Sequence, residues 1–111
     1  MGDRVDAVFD ALADPSRRYL VERLAELGAS TPTELAHELP ITRQAVTKHL
    51  AQLEQAGLVR GTREGRRTVY RPDLTALEDA TGWLERVGAR WDERLAALAR
   101  HLDGRDANRR Q

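Results

Sequence analysis

Arg43, Gln44, Thr47 and Lys48 stand one and three to four residues apart, so on a helix they are neighbours on one face. Their side chains suit base edges in a major groove: glutamine pairs with adenine, arginine or lysine with guanine, threonine with a base or a phosphate. Ala51 on the same face permits close approach. Thr42 and Arg43 fall at the helix N-terminus, where unpaired N–H groups favour phosphate. No acid occurs between Glu38 and Glu54. In a chain with 32% charged residues an ordinary solvated face mixes the two signs, and this one does not. A second basic group follows at Arg63, Arg66 and Arg67. A two-residue tip at Glu64-Gly65 predicts Arg63 opposite Arg66, with Arg67 next on the return strand. Like charges facing across strands repel; phosphate lying between them relieves the repulsion and releases counterions. The plainer alternative is a solvated tip whose repulsion salt screens.

Caps and apolar spacing define the elements that hold these groups. Val5, Val8, Phe9 and Leu12 recur at helical spacing behind Asp3, a good cap residue. Asp14-Pro15 starts a second helix, with Pro15 at its first position, Leu20, Val21, Leu24 and Leu27 as its stripe and Gly28 as its stop. Thr31-Pro32-Thr33-Glu34 is a capping box opening a short helix, 33–39, through Leu35, Ala36 and Leu39, which Pro40 ends. Thr42 caps the helix 43–56, whose buried stripe is Val46, Leu50 and Leu53, closed by Gly57. Residues 58–70 turn strand-like, and Tyr70 is expected in the core behind the hairpin, paired with Val59. Thr75-Ala76-Leu77-Glu78 opens a long helix over 76–102. Two helices on a very short turn, followed by an Arg-rich hairpin over 60–71, make a winged helix-turn-helix. The fold class is mainly α with a small β-hairpin (α+β). The domain spans 1–103, and 104–111 is expected to be a disordered tail.

Composition bounds the function. The 111 residues carry 18 Lys plus Arg against 18 Asp plus Glu, so net charge alone gives no hint of a polyanionic partner. The distribution is uneven. From 41 to 71, Arg43, Lys48, Arg60, Arg63, Arg66, Arg67 and Arg71 stand against Glu54 and Glu64, while residues 1–40 hold four basic and eight acidic residues. A local basic block is an electrostatic footprint whatever the total. There is no cysteine, which removes disulfides, thiolate metal sites and cysteine nucleophiles. The longest apolar run, Leu95 to Ala99, is far short of the ~20 residues of a membrane span, and no signal-peptide layout opens the chain. A cytoplasmic location is expected. No phosphate loop, Ser–His–acid set or paired acids with a pocket suggest an enzyme.

The pieces Ala11-Leu12-Ala13-Asp14-Pro15-Ser16-Arg17-Arg18, Thr33-Glu34-Leu35-Ala36, the run from Gln44 to Val59 and Glu64-Gly65-Arg66-Arg67-Thr68-Val69-Tyr70 stand in a fixed order and spacing. In these the sequence resembles the ArsR/SmtB-type winged-helix regulators over roughly residues 5–102. The resemblance implies a dimeric repressor of double-stranded DNA at an inverted-repeat operator, its first and last helices forming the dimer interface. That interface would draw on Val5 and Phe9 at one end and Leu84, Val87, Trp91, Leu95 and Leu98 at the other. The last helix agrees, since at 1.5 Å per residue it runs ~40 Å and its stripe needs a partner; Gly82 or Gly88 breaking it is the alternative. Where metal-sensing members carry cysteines, this chain reads Glu34-Leu35-Ala36-His37-Glu38-Leu39, and its final helix offers only His101. No metal and no cofactor are expected, and an effector, if any, is unknown. Arg17 and Arg18 are expected to lie over the core. The rival reading is a winged-helix module that docks proteins and leaves DNA alone.

Overall fold

In the computed structural model of the protein, the backbone is described for residues 2–109 and side chains for residues 4–104. The elements run α1 (Gly2–Leu12), α2 (Pro15–Leu27), α3 (Pro32–Ala36), α4 (Arg43–Gln55), β1 (Val59–Glu64), β2 (Arg67–Pro72) and α5 (Thr75–Arg109). The expected caps at Asp14, Thr31 and Thr42 are in place, whereas Asp3 lies inside α1 and Thr75 inside α5, its N–H donating to the Asp73 carboxylate, so neither of these is a cap. Asp14 accepts from the N–H groups of Ser16 and Arg17, Thr31 from that of Glu34, and Thr42 from that of Ala45, each satisfying orphan donors of a first turn. The Gly28 φ of +80° ends α2 in a conformation that L side chains rarely adopt.

Three further local expectations are corrected. The helix read as 33–39 ends at Ala36. His37 and Glu38 then donate to the carbonyls of Glu34 and Leu35 three residues back, a tighter turn that brings the chain to Pro40. The hairpin tip is Gly65-Arg66, because Glu64 pairs with Arg67 and Arg63 with Thr68. Gly65, at φ +65°, therefore takes the first central position, the place of glycine in a II′ turn. A one-residue shift changes every partner, so Arg63 does not face Arg66, and Tyr70 faces Gly61, not Val59. Finally, α5 runs unbroken through Gly82, Gly88 and Gly104 to Arg109, past the point where a disordered tail is expected. A helical glycine costs only ~1 kcal/mol relative to alanine and no proline follows. Residues 110 and 111 lie outside the described residues.

The chain divides into two units, one through Ala80 and one from Thr81. In the first, α1, α2, α3, α4, the hairpin and the opening turns of α5 enclose one core. Val8, Leu20, Leu24, Leu35, Val46, Leu50 and Leu53 are its most buried members, each contributing about 1.5–3 kcal/mol by burial. Val5 is buried as well. The two strands form an antiparallel ladder, and Ser30 adds one rung on its far side by bonding both backbone groups of Tyr70. The second unit is the remainder of α5. None of its described side chains is buried. Among the described residues no helix is long and apolar enough to cross a membrane.

Candidate nucleic-acid interface

The site begins with the turn between α3 and α4. Val46, Leu50 and Leu53 face the core, which turns Thr42, Arg43, Gln44, Thr47 and Lys48 to the outside, and all five are exposed. The turn is held from below by α2. Arg23 grips the Glu38 carboxylate with a fork of bonds at 2.8–3.0 Å, and Tyr19 donates to it at 3.1 Å. Arg23 first, then Tyr19, holds that carboxyl below its ordinary range, and Glu38 in turn pushes the Arg23 guanidinium further up.

Two side chains of the exposed face also serve the helix. Thr42 is the N-cap, its hydroxyl oxygen accepting from Ala45 at 3.1 Å. Thr47 donates its hydroxyl to the Arg43 carbonyl at 2.9 Å, leaving its methyl and an acceptor oxygen for a ligand.

The hairpin divides its arginines. At its base Arg60 pairs with Asp73 at 3.4 Å and Arg71 with Glu64 at 2.7 Å. Arg71 first, then the Thr62 hydroxyl, holds the Glu64 carboxyl down; the Thr75 N–H does most of the same for Asp73. Toward the tip, Arg63, Arg66 and Arg67 are exposed. Among the described residues no carboxylate forms an ion pair with these three or with Arg43 or Lys48. Cations left without carboxylates are the ones an external polyanion can neutralise.

Between α4 and the hairpin runs a groove of about 750 Å³. It brings together Arg43, Gln44 and Thr47 of α4 with Arg63, Arg66 and Arg67. Thr42 and Lys48 are exposed but do not line it. Sequence reasoning missed the groove's third wall: Thr31, Pro32, Thr33 and Glu34 at the start of α3, with Thr68 and Tyr70 from β2. The capping box marks those α3 residues as a helix start, and its local spacing carries no sign that they face the hairpin. Tyr70 is buried, and burial, then the charge of Glu54, pushes its phenol above the ordinary range.

Arg17 and Arg18 have a definite task. Arg17 donates to the carbonyls of Ala11 (2.6 Å) and Asp10 (3.2 Å) and to Gln52 (3.0 Å), and Arg18 to that of Leu12 (2.7 Å). They satisfy the last carbonyls of α1, which has no basic residue in its own last turn. His37 and His101 are exposed. His49 is partly buried, with its Nδ1 unbonded. Among the described residues no group of three or more His, Asp or Glu converges. Of the side chains expected at a dimer interface, Val5 is already buried within the chain, Val87 is partly exposed, and Phe9, Leu84, Trp91, Leu95 and Leu98 are exposed.

Comparison with known proteins places this geometry. Residues 12–62 match a family described as a helix-turn-helix domain. The chain is 41% identical to the HTH-type transcriptional regulator Rv2034 of Mycobacterium tuberculosis, over 88% of each chain. It superposes with a TM-score of 0.73 on an ArsR-like transcriptional regulator from Rhodococcus sp. RHA1, at 39% identity and covering 86% of this chain and 89% of that one. It also matches the homodimeric winged helix-turn-helix DNA-binding domain Mb0332 from Mycobacterium bovis, at 31% identity and TM-score 0.61, covering 84% and 82%.

Proposed function

The chain belongs to the ArsR-type helix-turn-helix transcriptional regulators, and from that premise we propose that it represses transcription as a homodimer bound to an inverted-repeat operator. The observation that carries this reading is the groove in which Arg43, Gln44 and Thr47 meet Arg63, Arg66 and Arg67, all four arginines without a carboxylate partner among the described residues. In it α4 enters a major groove. Gln44 and Arg43 read base edges, the Thr47 methyl packs on the base pair, and Lys48 reaches a base or phosphate at the rim. Thr42 adds a phosphate contact at the α4 N-terminus. The wing follows the flanking backbone through Arg63, Arg66 and Arg67.

Dimerisation supplies the second half-site. Leu84, Val87, Trp91, Leu95 and Leu98 repeat at helical spacing, four of the five exposed, and a second copy of the same stripe covers them. Phe9 of α1 is also exposed and is assigned to the interface, whereas Val5 is already buried within its own unit. Two α4 helices one turn of duplex apart then fix the half-site spacing, and the bound dimer occludes the promoter. We place the protein in the cytoplasm, acting without catalysis and without a resident metal.

Selection of bound duplexes from a random pool, followed by affinity across a salt series, tests this. Recovery of an inverted repeat is expected, with affinity falling about a thousandfold or more between 50 and 200 mM salt. Recovery of no duplex at low salt overturns the reading in favour of a protein-docking module.

A further inference from the structure

The wing is useful only if it points the right way relative to α4, and one rung of the hairpin carries that task. Both backbone groups of Tyr70 are spent on Ser30, at 2.8 and 3.0 Å. Across the ladder Tyr70 faces Gly61, so this is a rung without its own pair of hydrogen bonds. The Gly61 N–H turns away from β2, and the Glu54 carboxylate of α4 accepts it at 3.1 Å. The backbone also passes close under the Tyr70 ring: a Cβ on residue 61 would stand 2.8 Å from its Cε1, so the position suits glycine. Both strands are therefore anchored at one level, β2 to the chain beside the α3 cap and β1 to α4.

We propose that Glu54 is a positioning residue for DNA binding, holding the wing at a fixed angle to α4 so that Arg63, Arg66 and Arg67 meet the phosphates flanking the bases that α4 reads. The inference rests on the DNA-binding reading above. The lever makes the anchor matter. The tip at Gly65-Arg66 lies four to five residues beyond Gly61, roughly 15 Å at strand rise, so a swing of about 10° moves the tip by more than 2 Å.

Charge and position have opposite signs here, which makes the test sharp. Removing an acid from a DNA-binding surface strengthens binding by simple attraction. Losing the anchor weakens it. Glu54→Gln and Glu54→Ala make the same change in charge, but only glutamine keeps a carbonyl oxygen for the Gly61 N–H. On the selected duplex, E54A is expected to bind about five- to tenfold more weakly than E54Q. That ratio is expected to fall to about one when Arg63, Arg66 and Arg67 are also replaced by alanine, since the anchor acts only through them. Equal affinities for E54A and E54Q, or a ratio that survives removal of the wing arginines, overturns the proposal. Amide hydrogen exchange on the free protein gives an arm independent of DNA. The Gly61 N–H is expected to exchange at least several-fold faster in E54A than in E54Q while the α2 amides stay unchanged. Identical Gly61 protection in both overturns the anchor itself, and failure to select any duplex overturns the DNA reading instead.

Discussion

Leu50 and Leu95 come from helical stripes of the same period, yet Leu50 is 0% exposed and Leu95 58%. Through Ala80, most apolar stripes close on one core, three helix N-termini are capped, and the α1 carbonyls are met by Arg17 and Arg18. From Thr81 onward no described side chain is buried, and Trp91 is exposed to 63%. The contrast teaches that an apolar stripe records the need for a cover without saying which chain supplies it. The hairpin repeats the lesson with charge. Arg60 and Arg71 are answered from within, whereas Arg63, Arg66 and Arg67 wait for something outside.

Substitutions break the contrast in order of size. Leu50→Ala strikes the self-sufficient unit and is expected to lower unfolding free energy by about 2–5 kcal/mol, measured by urea denaturation. Leu95→Glu leaves that core untouched and is expected to give a monomer by analytical ultracentrifugation. Operator affinity then falls by about a hundredfold or more, since the two half-sites are no longer engaged as a unit. An L95E protein that remains dimeric would remove the stripe from the interface. Arg66→Ala and Arg67→Ala are expected to weaken all duplexes severalfold and to reduce the salt slope by about 0.9 per phosphate contact removed. A changed sequence preference would instead make the wing a reader of bases. The smallest effect belongs to Glu38, whose carboxyl Arg23 holds below its ordinary 4.5. Its contribution to stability is present above that value and is lost as pH falls through the lower, folded one. Thermal melts of wild type and Glu38→Gln are expected to differ near neutral pH and to converge in strong acid.

What the sequence revealed was local. Asp14, Thr31 and Thr42 are legible as caps because a cap acts within three residues, and the exposed face of α4 follows from the burial of Val46, Leu50 and Leu53. The hairpin register was not legible, because Gly65 fits either central position of a two-residue turn and the choice depends on which strand faces pack on the core. The pairing of Arg60 with Asp73 and Arg71 with Glu64 depends on that register. The same distance effect hid the Glu54–Gly61 bond and the bonds from Arg17 to Gln52 and the α1 carbonyls. Pattern reading names the groups and cannot say which are already spent.

The Ser30–Tyr70 rung has a consequence in time. Its partners lie about forty residues apart in sequence, so bringing them together costs roughly 3 kcal/mol of loop-closure entropy. The α3–α4 turn and the hairpin itself join segments that are neighbours along the chain and form without that cost. Contact order therefore predicts that α4 and the hairpin form before the Ser30–Tyr70 rung closes.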